Sequence, residues 1–189
     1  MTIQTDLSRR RLLKAAAGAT GFLAFPMIAR ATTFGHSLSL ARDLALDHTH
    51  TRERIQLTYA LGDRYLPDAL AGLDHFLRDH YSGAVGEMDP GLYDIMHGIR
   101  TALKVRTPFH IISGYRSPQT NERLRARGGG GVARRSLHMD GKAVDIRLPG
   151  VPLAELRDAA LGLKAGGVGY YPGSKFVHVD TGRVRTWNG

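Results

Sequence analysis

Two segments of the sequence are the most informative about its architecture: S-L-H-M-D-G-K-A-V-D-I-R-L at 136–148 and F-V-H-V-D at 176–180. Both contain apolar residues at every second position, which is the period of a half-buried β-strand. In the first segment this alternation places Asp145 on the face opposite the apolar side chains. In the second segment His178 and Asp180 lie opposite the two valines. If the two strands pair, Asp145 and His178 therefore share the open face of a sheet.

A third polar residue, His138, precedes Asp145 by seven positions. A fully extended segment of that length would separate the two by about 23 Å, too far for one shared ion. A bend at Gly141, where glycine permits a positive φ, would bring them together. Two histidines and one carboxylate with a vacant fourth position are the ligand set of a catalytic zinc site. On spacing alone, a hydrogen-bonded cluster without metal is an equally good interpretation.

The remaining pattern predicts an α+β domain at 60–189, with helices packed on a small antiparallel sheet. Helix 67–81 has leucines at helical spacing, and a second helix begins at Asp89-Pro90, a capping residue followed by a first-turn proline. The other expected elements are helices at 118–127 and 152–164 and strands at 109–113, 143–148, 167–171 and 176–180. The four glycines at 128–131 lack the G-K-[ST] ending of a phosphate-binding loop and are expected to form a flexible loop.

The first 31 residues are typical of a secretory signal. The segment S-R-R-R-L-L-K at 8–14 precedes an apolar run at 15–28 and the sequence A-R-A. Paired arginines in this context predict export by the twin-arginine machinery to the periplasm, with cleavage after Ala31. The apolar run is short for a membrane span, which needs about 20 residues. We therefore expect no stable membrane insertion after cleavage; an uncleaved amphipathic anchor is the alternative.

Residues 32–59 are polar and show no strong period, so we expect them to form an N-terminal linker. The histidines at 48 and 50 could form a metal-binding pair, but a solvated linker is the favoured interpretation of this segment.

Composition excludes several classes of protein. The chain has 189 residues, the size of one domain. It contains no cysteine, which excludes disulfide scaffolds, cysteine-ligated metals and a cysteine nucleophile. The net charge of +9 falls to +5 without residues 1–31, because 21 basic and 16 acidic side chains remain. That mild excess does not predict nucleic-acid binding, since no aromatic residues are interleaved with a basic stripe. An exported protein that binds an anionic polymer is a minor alternative.

The segment S-x-H-x-x-G-x-A-x-D at 136–145, followed by V-H-V at 177–179, resembles the zinc peptidases that include D-alanyl-D-alanine carboxypeptidases and dipeptidases. The metal-binding half of hedgehog signalling domains is similar. The chain most resembles the exported murein endopeptidase K group, through S-G-Y-R-S-P-Q-T-N at 113–121, G-G-V-G-Y-Y-P at 166–172 and F-V-H-V-D-T-G at 176–182. The resemblance covers about residues 60–187.

This resemblance implies a zinc ion held by His138, Asp145 and His178. It also implies that Arg116, the arginine of the S-G-Y-R segment, helps to stabilise the charge that develops on the scissile carbonyl; a structural ion pair is the alternative role. The implied substrate is the peptide crosslink of peptidoglycan, either D-alanyl-diaminopimelate or between two diaminopimelates. We expect a monomer that binds no nucleic acid.

One departure from the family pattern concerns the general base. Many relatives have a Glu or Asp three residues before the last zinc histidine, or a His two before it, whereas this chain has Lys175 and Phe176. Asp180 is the candidate base, because strand alternation puts it on the face of His178 about 7 Å along the strand. Asp180 could instead orient a zinc-bound imidazole. The missing base also leaves open a non-catalytic zinc module that binds wall peptides or a protein partner.

Overall fold

The computed structural model describes residues 40–127 and 132–189. The predicted twin-arginine signal, its cleavage after Ala31 and the glycine loop at 128–131 lie outside the described residues.

The described chain forms eight strands, four α-helices and one short 3₁₀ helix at Leu137–Asp140. The strands are β1 (Ala41–His48), β2 (Arg54–Leu61), β3 (Arg64–Tyr65), β4 (Phe109–Ser113), β5 (Ala143–Arg147), β6 (Gly167–Tyr171), β7 (Phe176–Asp180) and β8 (Arg185–Asn188). The helices are α1 (Pro67–Phe76), α2 (Gly91–Leu103), α3 (Pro118–Ala126) and α4 (Leu153–Leu163). All the elements expected from the sequence are present, although α1 ends five residues earlier than predicted.

All eight strands belong to one sheet, in the order β3-β2-β1-β4-β5-β7-β6-β8. The β1–β4 and β6–β8 pairs are parallel and the others are antiparallel. The predicted α+β class is confirmed. The sheet is larger than expected and mixed, because strands outside the predicted set join it at both ends.

The expectation of a linker at 32–59 is wrong for its described part. Residues 41–48 and 54–61 form the antiparallel hairpin β1–β2, and β1 pairs with β4 in the centre of the sheet. The hairpin buries Leu44, Leu46 and Tyr59 completely. Full burial of each leucine contributes about 1.5–3 kcal/mol. The alternation was present in the sequence, but the charged residues that flank the leucines and a bulge at Arg42–Asp43 weaken it.

The hydrophobic core lies between the sheet and its helices. Its fully buried members include Leu73 of α1, Leu92, Met96 and Ile99 of α2, Leu156 of α4, and Ile111, Val144, Ile146 and Val177 of the central strands. The alternate residues of β5 and β7 thereby lie on the other face of the sheet, where polar side chains gather. In the part of the chain that the structure describes, no helix has the length and apolar character needed to cross a membrane.

Candidate metal centre

Three donor atoms converge on the polar face of the central strands. His178 Nδ1 lies 2.9 Å from Asp145 Oδ1, and His138 Nε2 lies 3.3 Å from the same oxygen. The two imidazole nitrogens are 3.2 Å apart. Within residues 40–127 and 132–189, this is the one group of three or more such side chains close enough to hold a metal.

Local structure explains why these three side chains meet. Strands β5 and β7 pair so that Asp145 and His178 lie directly opposite each other, as strand alternation predicted. His138 enters from the 3₁₀ helix, which ends at Gly141 with φ 66° and turns the chain into β5. The predicted bend at Gly141 is therefore confirmed.

His138 Nε2, Asp145 Oδ1 and His178 Nδ1 form a donor triangle. This triangle has the size that a small divalent cation requires. In a tetrahedral zinc site with bonds of about 2.1 Å, neighbouring donors lie about 3.4 Å apart. The three distances of 2.9, 3.2 and 3.3 Å are close to that value. Two imidazole nitrogens and one carboxylate oxygen are also donors that zinc prefers. The residues fit a mononuclear site with a fourth position for a water or substrate.

Each histidine is held so that one chosen ring nitrogen faces the position of a metal. His138 Nδ1 lies 2.7 Å from the Gly114 carbonyl, so Nδ1 carries the proton and Nε2 is free to bind. His178 Nε2 lies 3.2 Å from Asp180 Oδ2, and because a carboxylate only accepts, Nε2 donates and Nδ1 is the nitrogen that faces Asp145 and His138. Such outer partners fix ring orientation and increase ligand basicity.

Burial and mutual charge set the protonation of the cluster. Burial lowers the pKa of His138. Burial also acts to lower the pKa of His178, but its hydrogen bonds with Asp145 and Asp180 outweigh burial and raise it to about 9. The pKa of Asp145 stays well below its usual range, because the two histidines outweigh the effect of its burial. Asp145 is thus ionised at the centre of the site, and a bound cation would displace the proton that His178 Nδ1 shares with it.

The surroundings of Asp180 favour the orienting role over the role of general base. Its side chain is fully buried and does not line the cavity beside the donor triangle. It accepts hydrogen bonds from His178, from the backbone N–H groups of Gly167 and Gly182, and twice from Arg185. These five donors exceed the roughly four lone-pair sites of a carboxylate. Although burial opposes it, they hold the pKa of Asp180 well below its usual range.

A prediction follows for the Asp180→Asn variant. The amide keeps one acceptor oxygen, and its NH₂ group must face N–H donors whose bonds one of the two Asp180 oxygens now accepts, so the side chain is displaced and the imidazole loses its fixed orientation. We expect metal affinity to fall about 10–100-fold, with activity regained when excess zinc is added. Zinc titration and activity at several zinc concentrations measure both effects. The control is Asp158→Asn, whose carboxylate pairs with Arg157 at the surface. Full zinc retention with an activity loss that added zinc does not reverse would instead assign Asp180 as the base.

Arg116 lies beside the donor triangle, where the family resemblance implied that it would act. Its side chain is largely buried, and Nη2 is 3.9 Å from Asp145 Oδ2, a loose ion pair. Its other partners, Ser113 and Asn121, are both 3.4 Å away. The guanidinium therefore has donors left for the cavity. A structural ion pair with Asp145 is weak at this distance.

Asp79 positions the Arg116 segment and was not singled out from the sequence. It is buried and accepts from the Ser117 N–H and hydroxyl, from Ser82 and from the Tyr81 N–H. Burial acts to raise the pKa of the Asp79 carboxyl, but its hydrogen bonds outweigh burial, and the pKa stays well below its usual range. Ser117 in turn caps α3, so Asp79 anchors the backbone that follows Arg116. No local pattern indicates this role, because the partners lie 38 residues apart.

A cavity of about 490 Å³ opens at the donor triangle. Its lining includes the three donor residues, Arg116, Arg135, Ser136, Ser174 and the aromatic residues Tyr171, Phe176 and Trp187. Asp145 is the one acidic side chain among the described lining residues. Lys175, at the position where many relatives have their base, adopts φ 58° in the β6–β7 turn. The cavity wall is thus basic and aromatic, which suits a substrate with carboxylate or carbonyl oxygens.

The edge strand β8 supplies two residues of the site that the sequence did not reveal. Arg185 pairs with Asp180 at 2.7 Å, and the Trp187 ring lies 5.3 Å from the His178 imidazole. A short polar strand has no marked alternation, so only its pairing with β6 shows that it contributes to the site.

A second group of histidines, His48, His50 and His80, does not form a comparable donor cluster. His48 is buried, and the rings of His50 and His80 stack at 4.1 Å beside it. Burial and the neighbouring imidazoles lower the pKa of His48 and of His80 to about 4. Within the described residues these side chains do not bring three donor atoms together. His48 therefore packs at the end of β1, with the stacked rings of His50 and His80 beside it.

A His–Asp–His donor set beside an open cavity, on a sheet covered by helices, is typical of a metal-dependent peptidase. The chain matches the peptidase family described as peptidoglycan L,D-endopeptidase MepK over residues 37–187. It is 43% identical to the peptidoglycan L,D-endopeptidase MepK of Escherichia coli over 182 residues, which is 96% of this chain and 98% of that relative. A probable peptidoglycan L,D-endopeptidase MepK of Haemophilus influenzae is 44% identical over 149 residues, 78% of this chain and 80% of the relative. The chain belongs to this metallopeptidase family.

Proposed function

We propose that this protein is a zinc-dependent murein endopeptidase that hydrolyses peptide crosslinks in peptidoglycan during cell-wall growth. The observation that carries the proposal is the donor triangle of His138, Asp145 and His178 at an open cavity, in a chain that belongs to a family of peptidoglycan endopeptidases.

The three donor residues would hold the zinc ion. When bound, zinc would act as a Lewis acid toward the peptide carbonyl and make water nucleophilic near neutral pH. The chain's own contribution is to hold both imidazoles in the orientation that presents the correct nitrogen to the metal, through Gly114 and Asp180, before any metal arrives. This preorganisation avoids reorientation of the ligands during the reaction.

Arg116 is proposed to stabilise the negative charge that develops on the scissile carbonyl. Its guanidinium lines the cavity beside Asp145, and its existing hydrogen bonds are long. A preorganised donor at such a position is typically worth about 10²–10³ in kcat. The dense packing of its side chain keeps the donor in place.

The proposed crosslink is the bond between two diaminopimelates. The relatives from Escherichia coli and Haemophilus influenzae are named L,D-endopeptidases, and the L,D link is the one between two diaminopimelates. The arginines of the cavity complement the free carboxylates of such a stem peptide. Cleavage of the D-alanyl-diaminopimelate link is the alternative.

Mass analysis of digested sacculi tests both the activity and the bond. Purified peptidoglycan rich in both crosslinks is incubated with the protein, with and without a chelator. We expect loss of the diaminopimelate–diaminopimelate dimers, and we expect the chelator to prevent it. Loss of the D-alanyl-linked dimers alone would assign the other bond. Unchanged sacculi with zinc-loaded protein would contradict the proposal.

A non-catalytic zinc module is the second candidate, and one observation favours it. Asp145 is the one acidic side chain among the described lining residues, so no separate carboxylate base lies at the cavity. In that case the protein would bind muropeptides and release no products from sacculi. The digestion experiment separates the two candidates directly.

We further propose that the protein acts in the periplasm after export by the twin-arginine machinery. The support is the S-R-R-R-L-L-K segment, the apolar run and the A-R-A sequence at 29–31. Peptidoglycan, the proposed substrate, is also outside the cytoplasm. Replacing Arg9 and Arg10 with lysine keeps the charge but removes the recognised pair, so we expect the precursor to accumulate in the cytoplasm. Normal delivery of the double-lysine variant would contradict this route.

A further inference from the structure

The polar face of the sheet has two rows in which a glycine of β6 lies between side chains of β7 and β8. In one row Gly167 lies between Asp180 and Arg185; in the other, Gly169 lies between His178 and Trp187. A β-carbon on Gly169 would lie 2.7 Å from two atoms of the Trp187 ring. The indole can therefore lie across β6 and come within 5.3 Å of the His178 ring only because position 169 has no side chain.

The Trp187 indole also holds a neighbouring hydroxyl. Its Nε1 lies 2.9 Å from the Tyr171 hydroxyl oxygen and donates a hydrogen bond to it. Because an indole nitrogen only donates, the hydroxyl must accept, and its own proton is left for another partner. Within residues 40–127 and 132–189, no protein acceptor takes that proton. Tyr171 stacks on Phe176 with ring centroids 4.5 Å apart, which fixes the direction of the ring.

We propose that Tyr171 binds the substrate by donating its hydroxyl proton to a carbonyl or carboxylate oxygen of the peptide, and that Trp187 is the positioning residue that holds this hydroxyl. Both side chains line the cavity at the donor triangle. The inference rests on the proposed function for the identity of the peptide. It adds a substrate contact on the aromatic side of the cavity, formed by Tyr171, Phe176 and Trp187.

The Tyr171→Phe variant tests the hydroxyl, because it keeps the ring and its stacking. We expect KM for crosslinked muropeptide to rise about tenfold with kcat little changed, as for the loss of one hydrogen bond made in both ground and transition states. Zinc content should be unchanged. The matched control is Tyr170→Phe, since Tyr170 is the next residue of β6 and packs against Arg157 and the core instead of the cavity. An unchanged KM in Tyr171→Phe would overturn the proposal.

The fluorescence of Trp187 gives a readout that does not depend on catalysis. Trp187 is the single tryptophan of the chain, so tryptophan emission reports on its surroundings in the cavity alone. Titrating metal-free protein with a purified diaminopimelate-crosslinked muropeptide should give a saturable change in emission. We expect the Kd to be about tenfold weaker in Tyr171→Phe and unchanged in Tyr170→Phe. Equal Kd values in all three proteins would contradict the proposal.

The Gly169→Ala variant tests the positioning role of Trp187. The added methyl group must displace the rigid indole, so we expect red-shifted emission and the same increase in KM as in Tyr171→Phe. Combining both changes should add little further, because the two act on one contact. Gly162→Ala is the control, since a β-carbon there meets open space. Red-shifted emission with an unchanged KM would show that Trp187 does not position Tyr171.

These outcomes are distinct from failure of the proposed function. Suppose that the protein binds muropeptide, that the Tyr171→Phe change weakens this binding, and that sacculi release nothing. The role of Tyr171 is then supported and the enzyme assignment fails. If sacculi are cleaved and the Tyr171→Phe variant behaves as the unchanged protein, the enzyme assignment stands and the role of Tyr171 in substrate binding is refuted.

Discussion

The His138→Ala and Asp145→Ala variants are expected to lose bound zinc and more than about a hundredfold in crosslink cleavage. Loss of an outer partner of a metal ligand already costs about 10–100-fold in affinity or activity, so loss of a ligand itself should cost more. Asp145 supplies the oxygen that lies near the metal-binding nitrogens of both imidazoles and the negative charge at the centre of the site. Without it, two buried histidines remain with no anionic partner between them.

Zinc content per chain and the rate of crosslink cleavage measure these effects. The protein must be purified without a polyhistidine tag, which would bind metal itself. His75→Ala is the matched control, because His75 is an exposed histidine of α1. We expect near-unit zinc stoichiometry in the unchanged protein and in this control. Near-unit zinc in both ligand variants would show that the metal binds elsewhere.

The Gly141→Ala variant is expected to lower the stability of the fold by about 3 kcal/mol or more. A left-handed backbone costs a non-glycine residue about 1–2 kcal/mol, and Gly141 has φ 66°. The new β-carbon would also lie 1.9 Å from the Glu87 carbonyl oxygen, so the backbone must shift. Such overpacking typically costs about 1–3 kcal/mol. Because the same turn carries His138, zinc affinity should fall as well.

Thermal unfolding of the metal-free protein measures the first effect. For a chain of this size each kcal/mol shifts Tm by about 2–4 °C, so we expect a decrease of about 6–12 °C. Gly150→Ala is the control, since Gly150 has φ 82° but open space around it. That variant should show only the smaller cost of the left-handed backbone. Equal Tm values for the two variants would contradict the clash at Glu87.

The face shared by Asp145 and His178 could be predicted because strand alternation is a local property. Each side chain's face depends on its own neighbours, and the valines of both strands mark the buried side. The bend at Gly141 could be predicted for a similar reason, since only glycine adopts that conformation at little cost. The pairing that joins the two faces was an assumption, which the β5–β7 register confirms.

Other parts of the fold could not be predicted as readily. The β1–β2 hairpin was taken for a linker because charged residues and a bulge interrupt its alternation. The strand β8 carries only a short polar sequence, R-T-W-N, whose pairing with β6 depends on contacts distant in the chain.

The sequence by itself determined the three metal-ligand candidates and the α+β class, because ligand chemistry and strand period are readable from a few consecutive residues. Only the tertiary structure favours one of the two roles of Asp180 over the other. That choice depends on which lone pairs are occupied, and the occupants come from β6, β7, the loop after β7 and β8. The same is true of the Tyr171–Trp187 contact, which exists because β6 lies between β7 and β8 and has a glycine at position 169. Strand order is set by pairings between distant segments, and no local pattern in the chain contains it.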